Sequence, residues 1–289
     1  MEQLTKNVFV DTKTRGSHHG FIVTSQGLVL VDVPVDTGDA IAWAKEAGQR
    51  GKIRYIINTE FHMDHCLNNQ VFDGVVIASK ITSDLIREVN NDVWLRDRTK
   101  QLYVHPLTVP SSEEVRRGWP SITFSDRMDI RLGDHTIQIM LLPGHTPGQT
   151  AVYIPEEKVL FVADNLSKER GASLHDALPD QWLDSLEAYK RLEVRFIVTG
   201  HTGVVTSDYH RYLEQQASAI REHVEAVRKA KFDRLSVDEA AERIEKMFPK
   251  VVHPASQDFA PHVGIGATRR WVAHIYQVTG GNVAECPVR

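Results

Sequence analysis

The chain has 289 residues, of which 42% are hydrophobic and 25% charged, with a formal net charge of -4. This is an ordinary globular composition, long enough for one large domain or a domain with an appendage, and it excludes a disordered chain. The acidic balance and the lack of a basic run argue against nucleic acid as a partner, and two cysteines, Cys66 and Cys286, cannot build a disulfide framework.

The opening residues, MEQLTKNVFVDTKTRGSHHG, lack the apolar stretch of a secretory signal, and no segment is apolar for long enough to span a membrane. A cytoplasmic protein without membrane contacts is the expectation. Residues 20–33, GFIVTSQGLVLVDV, read as two short strands joined by a turn around Gly27. DAIAWAKEAGQR follows as a helix with Ile41, Ala44 and Ala47 on one face. IRYIINT (53–59) is a buried strand, and GVVIA (74–78) is the next.

From Ser79 to about Pro120, a helical stretch (SDLIREVNNDVWLRDR) leads into an irregular one with Pro106, Pro110 and Pro120, read as an insertion over a site. Trp94, Tyr103 and Trp119 in it serve either as an apolar wall or as pins to the body. Strands resume with ITFSD, MDIRLGD, HTIQIMLLP, AVYIP, KVLFVAD and RFIVTG. The remainder is helical. DYHRYLEQQASAIREHVEAVRKAK is a long amphipathic pattern, SVDEAAERIEKMF opens with Ser236 and Glu239 in capping-box spacing, and HVGIGATRRWVAHIYQVTGG ends at Gly280–Gly281. The apolar stripe of the first of these helices fits either packing on the body or a homodimer contact.

Four segments carry ligand-capable side chains directly after a strand. INTEFHMDHCLNN holds Glu60, His62, Asp64 and His65; LLPGHTPGQT holds His145; LFVADNL holds Asp164; IVTGHTG holds His201. Taken singly, a histidine or aspartate after a strand is more often a cap or a core residue. Four such side chains within six positions, with three further segments in the same setting, point to metal binding, because loops at strand ends carry active sites and imidazole with carboxylate suits zinc, iron or manganese. Gly144 and Gly200 leave room beside the ligands. His18, His19, His105, His175, His253 and His262 are spare histidines, and Cys66 has no base of its own to make it a nucleophile.

The order and spacing of these motifs resemble the metallo-β-lactamase superfamily over roughly residues 7 to 210. The resemblance implies an α/β fold, an αββα sandwich of metallo-β-lactamase type spanning residues 1–207, with a C-terminal helical extension, residues 208–289, packed on it. It implies two metal ions per chain, zinc first and iron or manganese as alternatives. His62 and His145 would bind the first, with Glu60 in place of its third ligand. Asp64, His65 and His201 would bind the second, and Asp164 would bridge. The implied activity is hydrolysis of a small-molecule ester, lactone, amide or thioester by a metal-bound hydroxide that Asp64 helps orient. Iron-dependent redox chemistry of the persulfide dioxygenase or oxygen-reacting type, and hydrolytic dehalogenation, are the alternatives.

Glu60 is the departure from the family pattern, standing where the first histidine of His-x-His-x-Asp-His belongs. Exchanging a neutral imidazole for a carboxylate lowers the charge of the centre by one and makes the first metal a weaker Lewis acid. Three roles follow for Glu60: a first-site ligand with a shifted pH optimum, a general base beside a single filled second site, or a hard donor that redirects the centre to iron or manganese. As a first-site ligand, its replacement by histidine is expected to tighten that site.

Overall fold

The computed structural model describes residues 1–89, 107–169, 171–248 and 265–278. Two sheets lie at its heart. The first runs in strict chain order, β1 (Glu2–Gln3), β2 (Val8–Asp11), β3 (His19–Thr24), β4 (Gly27–Val31), β5 (Ile53–Asn58), β6 (Val75–Ser79) and β7 (Ile122–Phe124). It is antiparallel through β4 and parallel from β4 to β7. The second holds β8 (Arg127–Leu132), β9 (His135–Leu141), β10 (Thr150–Ile154), β11 (Val159–Ala163), β12 (Phe196–Thr199) and β13 (Val204–Val205), again ordered as in the chain.

Side-chain alternation explains the layering. In a strand, neighbours point to opposite faces. Ile57, Val29, Val31 and Ile22 of the first sheet meet Ile137, Ile139, Val152, Ile154, Val159 and Phe161 of the second in one buried cluster between the sheets. Their neighbours Ile56, Leu28, Leu30 and Phe21 turn outward onto Trp43, Ala40 and Ala47 of the helix Thr37–Gly48. On the far side, Ala151, Tyr153, Leu160 and Val162 face Trp182 and Leu186 of the helix Pro179–Tyr189 and the buried stripe of the helix Tyr209–Phe232. The central strands β4, β10 and β11 are therefore apolar on both faces, as doubly covered sheets require, while β8 at the edge alternates. The result is the expected αββα sandwich.

The helices Val237–Met247 and Ile265–Val278 add Ala240, Ala241, Ile244, Trp271, Val272 and Ile275 to the same outer cluster. Ser236 and Glu239 form the anticipated capping box, each side chain bonding the other's backbone.

Three local expectations differ. The first sheet begins with two strands ahead of the hairpin at 20–33. The helix Thr37–Gly48 buries Ala40, Trp43 and Ala47 rather than the Ile41 stripe, and Ile41 is 58% exposed. Trp43, the largest apolar side chain of the helix, decides the phase by packing edge-on to His19 at 4.7 Å and against Phe21 at 5.1 Å. Within the segment read as irregular, Ser112–Arg117 is a short helix closed by a capping box between Ser111 and Glu114. Trp94, Tyr103, His105, His253, His262 and Gly280–Gly281 lie outside the described residues.

Ile220 of the long helix is 1% exposed and shares its cluster with Leu160 and Val162 of the second sheet. Ile220→Ala is expected to cost about 2–5 kcal/mol, through lost burial and the cavity left behind. The change should appear as a lower urea midpoint at an unchanged slope; an unaltered midpoint would show that this helix does not share the stability of the sheets.

Candidate metal centre

The ligand-capable residues gather where strands of both sheets end. Glu60 follows β5 by two positions, and His62, Asp64 and His65 sit at and within the one-turn helix Met63–Cys66. His145 lies in the loop from β9 to β10, Asp164 directly follows β11, and His201 follows β12. Ala163 has a left-handed φ of 45°, and its pairing with β12 slips between Phe161 and Ala163. Such a bulge re-aims the next side chain, here Asp164. Gly200 must be glycine, because a Cβ there would lie 1.7 Å from Asp164 Oδ1.

Each of four imidazoles is anchored by one nitrogen. His65 Nδ1 donates to Asp32 Oδ2 at 2.9 Å, His201 Nδ1 to the Gly16 carbonyl at 3.1 Å, His145 Nδ1 to the Ser173 carbonyl at 3.1 Å, and His62 Nε2 to Asp176 Oδ2 at 3.1 Å. An anchor on one nitrogen fixes the tautomer and leaves the other nitrogen as a lone-pair donor, the usual support for a metal-ligating histidine. The remaining nitrogens converge on the carboxylates. His201 Nε2 is 3.2 Å from Asp164 Oδ2 and 3.3 Å from Asp64 Oδ2, while His145 Nε2 is 3.6 Å from Asp164 Oδ2 and 3.3 Å from His62 Nδ1.

The seven residues named from the sequence, Glu60, His62, Asp64, His65, His145, Asp164 and His201, thus share one cluster. Donor atoms of Asp64, His65 and His201 lie within 4.8 Å of one another, as do those of Glu60, His145 and Asp164, and those of His62, His145 and His175.

A metal ion fits this donor set. Glu60 Oε1, His65 Nε2 and Asp164 Oδ1 are buried without a hydrogen-bond partner, and buried polar atoms are rarely left unsatisfied without cause. The mixture of imidazole and carboxylate suits zinc, iron or manganese.

The electrostatics favour a cation. Burial would lower the pKa of His62, but Glu60 and Asp176 outweigh it and hold the imidazole at about 10. Burial likewise opposes the charge on His201, and Asp164 and Asp64 raise it to about 9. Asp164 is held well below the usual carboxylate range, His201 and His65 overcoming the penalty of burial.

Sequence reasoning did not single out the supporting shell. Asp32, just past β4, accepts from His65, from the Thr59 backbone at 2.8 Å and from the Thr59 hydroxyl at 2.6 Å. Asn165 accepts from the His145 backbone at 2.8 Å. Ser173 and Asp176 hold His145 and His62, and His175, named only as a spare, has its ring centre 5.2 Å from that of His62 and 5.4 Å from that of His145. The signal for Asp32 was present as an acidic residue ending an apolar strand.

His18 accepts from the Gly203 backbone at 3.2 Å and His19 packs on Trp43, so both support the fold. Trp119 packs beside Phe61, Cys66 and Ile86, with the Arg87 guanidinium 4.6 Å over its ring, which favours the pin over the wall. Cys66 is buried and donates to the Phe61 and His62 carbonyls; burial pushes its thiol up, so it is no nucleophile.

Comparison with known proteins agrees with this geometry. The family model of the metallo-beta-lactamase superfamily matches residues 14–201. The chain belongs to that superfamily. Among curated proteins it is similar to hydroxyacylglutathione hydrolase of Bartonella henselae, 27% identical over 42% of this chain and 51% of that protein. It is also similar to an acyl-coenzyme A thioesterase of Gallus gallus, 28% identical over 52% of this chain and 54% of that protein. The chain spans about half the length of these relatives. Among solved structures, a metallo-beta-lactamase from Pontibacter korlensis matches with a TM-score of 0.59 at 17% identity, over 76% of this chain and 97% of that one. A sec-alkylsulfatase from Pseudomonas sp. matches with a TM-score of 0.73 at 16% identity, over 99% of this chain and 52% of that one. These two likenesses show the fold.

The raised imidazole pKa values set a pH dependence. A histidine raised above its ordinary 6.5 stabilises the metal-free fold below that pH and loses the contribution as pH rises through about 9 for His201 and about 10 for His62. A metal must displace the same protons, so its apparent affinity should climb over this window while the metal-free melting temperature falls. Metal titrations and thermal scans from pH 6.5 to 10 check both trends; a flat affinity would mean that these imidazoles do not bind the ion.

Proposed function

We propose that this protein is a metal-dependent hydrolase of small-molecule esters, with thioesters the first class to test. The observation that carries the reading is the set of four anchored imidazoles aimed at three carboxylates, with Glu60 Oε1, His65 Nε2 and Asp164 Oδ1 buried and without a hydrogen-bond partner. His62 and His145 would hold the first of two zinc ions and Asp64, His65 and His201 the second, with Asp164 between the two sets. Bound there, the ions would supply Lewis acidity and a water of lowered pKa.

The residues of the chain do the rest. Asp32, Gly16, Ser173 and Asp176 keep each imidazole in one tautomer and one orientation. Asp64, whose Oδ2 is 3.3 Å from His201 Nε2, has a second carboxylate oxygen that would be able to accept a proton from a water at the centre. The apolar cluster between the sheets lies beneath the centre and excludes bulk solvent from that side. Thioester cleavage is favoured over the other carbonyl substrates because the similar curated proteins are named as a hydroxyacylglutathione hydrolase and an acyl-coenzyme A thioesterase.

Metal content comes first, by plasma mass spectrometry on protein purified without added metal. About two zinc ions per chain are expected; iron in their place would overturn the zinc assignment and direct attention to oxygen-consuming reactions. His145→Ala should then lower thioester hydrolysis by at least ~100-fold and remove part of the metal. Full activity and full metal content in that variant would sink the proposal.

A further inference from the structure

We infer that Glu60 is a bridging carboxylate, giving one oxygen to each of two metal positions, rather than a replacement for an imidazole at one of them. This rests on the dinuclear reading above.

The carboxylate straddles both halves of the centre. Glu60 Oε2 is 2.6 Å from His62 Nδ1, and Glu60 Oε1 is 3.6 Å from His65 Nε2. Those two nitrogens belong to different donor clusters, His62 with His145 and His175, and His65 with Asp64 and His201, while Glu60 itself groups with His145 and Asp164. Two donors on one tetrahedral ion, each at about 2.0–2.1 Å from it, are roughly 3.4 Å apart. Glu60 Oε1 is near the spacing of a ligand that shares an ion with His65, while Oε2 is in direct contact with His62 Nδ1, a contact that an ion at the first position would replace. Oε1 has no hydrogen-bond partner, although the side chain is fully buried.

Asp164 spans the same gap from the other sheet, with Oδ1 3.5 Å from His65 Nε2 and Oδ2 3.6 Å from His145 Nε2. The centre therefore has a carboxylate bridge on each side, Glu60 from the loop after β5 and Asp164 from the end of β11. His175 adjoins the first cluster, its Nδ1 2.8 Å from Ser173 Oγ and its Nε2 3.3 Å from Asp176 Oδ2.

The backbone at Glu60 is placed for this role. The preceding Thr59 is tied to Asp32 through its amide and hydroxyl, and its carbonyl accepts from the Thr150 amide of the second sheet at 2.8 Å. Glu60 is consequently pinned at the seam between the sheets, and its side chain extends between the two clusters. A histidine at this position has no second donor in reach of the other cluster and would serve one ion alone.

Bridging reverses the expectation for Glu60→His. A first-site ligand replaced by imidazole should tighten one site and leave the other unchanged, whereas a bridge removed should weaken both. The test titrates metal-free, full-length protein with cobalt(II), following visible absorption under chelator competition, and compares the parent with Glu60→His and Glu60→Gln. Both stepwise affinities are expected to fall at least ~10-fold in each variant, the scale on which an altered ligand shell changes metal affinity. Circular dichroism of the metal-free forms separates this from misfolding, and the Gln variant, which keeps the side-chain size, decides the matter if the His variant does not fold. A parent that binds two cobalt ions, with one affinity unchanged or improved in the variants, would overturn the bridge and leave the hydrolase reading intact. A parent that binds no cobalt would overturn both.

Discussion

The structure is organised around a concentration of negative charge that the fold cannot satisfy by itself. Glu60, Asp64 and Asp164 come together at the seam of two apolar sheets, where burying a carboxylate without a partner costs several kcal/mol. Imidazoles supply part of the compensation, which is why His62 and His201 hold protons so tightly when no other cation is present. Two divalent ions would supply the rest. The same attraction that raises the histidines makes the site a competitor for metal.

That centre needs rigid walls, and the supporting hydrogen bonds show how they are built. Asp32 orients His65 and fixes Thr59, so one buried carboxylate from β4 controls both the second cluster and the backbone entering Glu60. The 173–176 segment plays the corresponding part for the first cluster, with the Ser173 carbonyl on His145 and Asp176 on His62. The two clusters thus have separate supports from opposite sides of the sandwich. Glu60 and Asp164 are the groups that link them.

The strands were legible as apolar runs such as GLVLV, TAVYI and VLFVA, and their arrangement in an αββα sandwich was legible through the resemblance that the order of the ligand motifs carries. The ligands were legible because five of the seven stand within four residues of a strand end and the other two, Asp64 and His65, follow in the same short motif. Asn165, Ser173 and Asp176 were not, since nothing local distinguishes them, and Asp32 carried only the faint signal of an acidic residue ending an apolar strand. Asp176 reaches His62 across 114 positions of sequence and Asp32 reaches His65 across 33. The phase of the helix Thr37–Gly48 was misjudged for a related reason. Ile41 and Trp43 both suit an apolar face, and the choice lies with the surface of Phe21 and His19 that receives it.

The glycines show how tightly packing and chemistry are coupled. Gly200 lies against Asp164, and a Cβ at Gly144 would lie 2.2 Å from Asn165 Oδ1, the atom that accepts the His145 amide. Gly16, with φ of 77°, would put a Cβ 2.9 Å from that of Asp64, while its carbonyl holds His201. In each case the missing side chain admits a ligand or its support, and in Gly16 the backbone does both at once. Close approach of backbone to side chain is what allows three carboxylates and four imidazoles to share so small a volume. The constraint on these loops therefore comes from the number of donors the centre must hold, and the glycines follow from it.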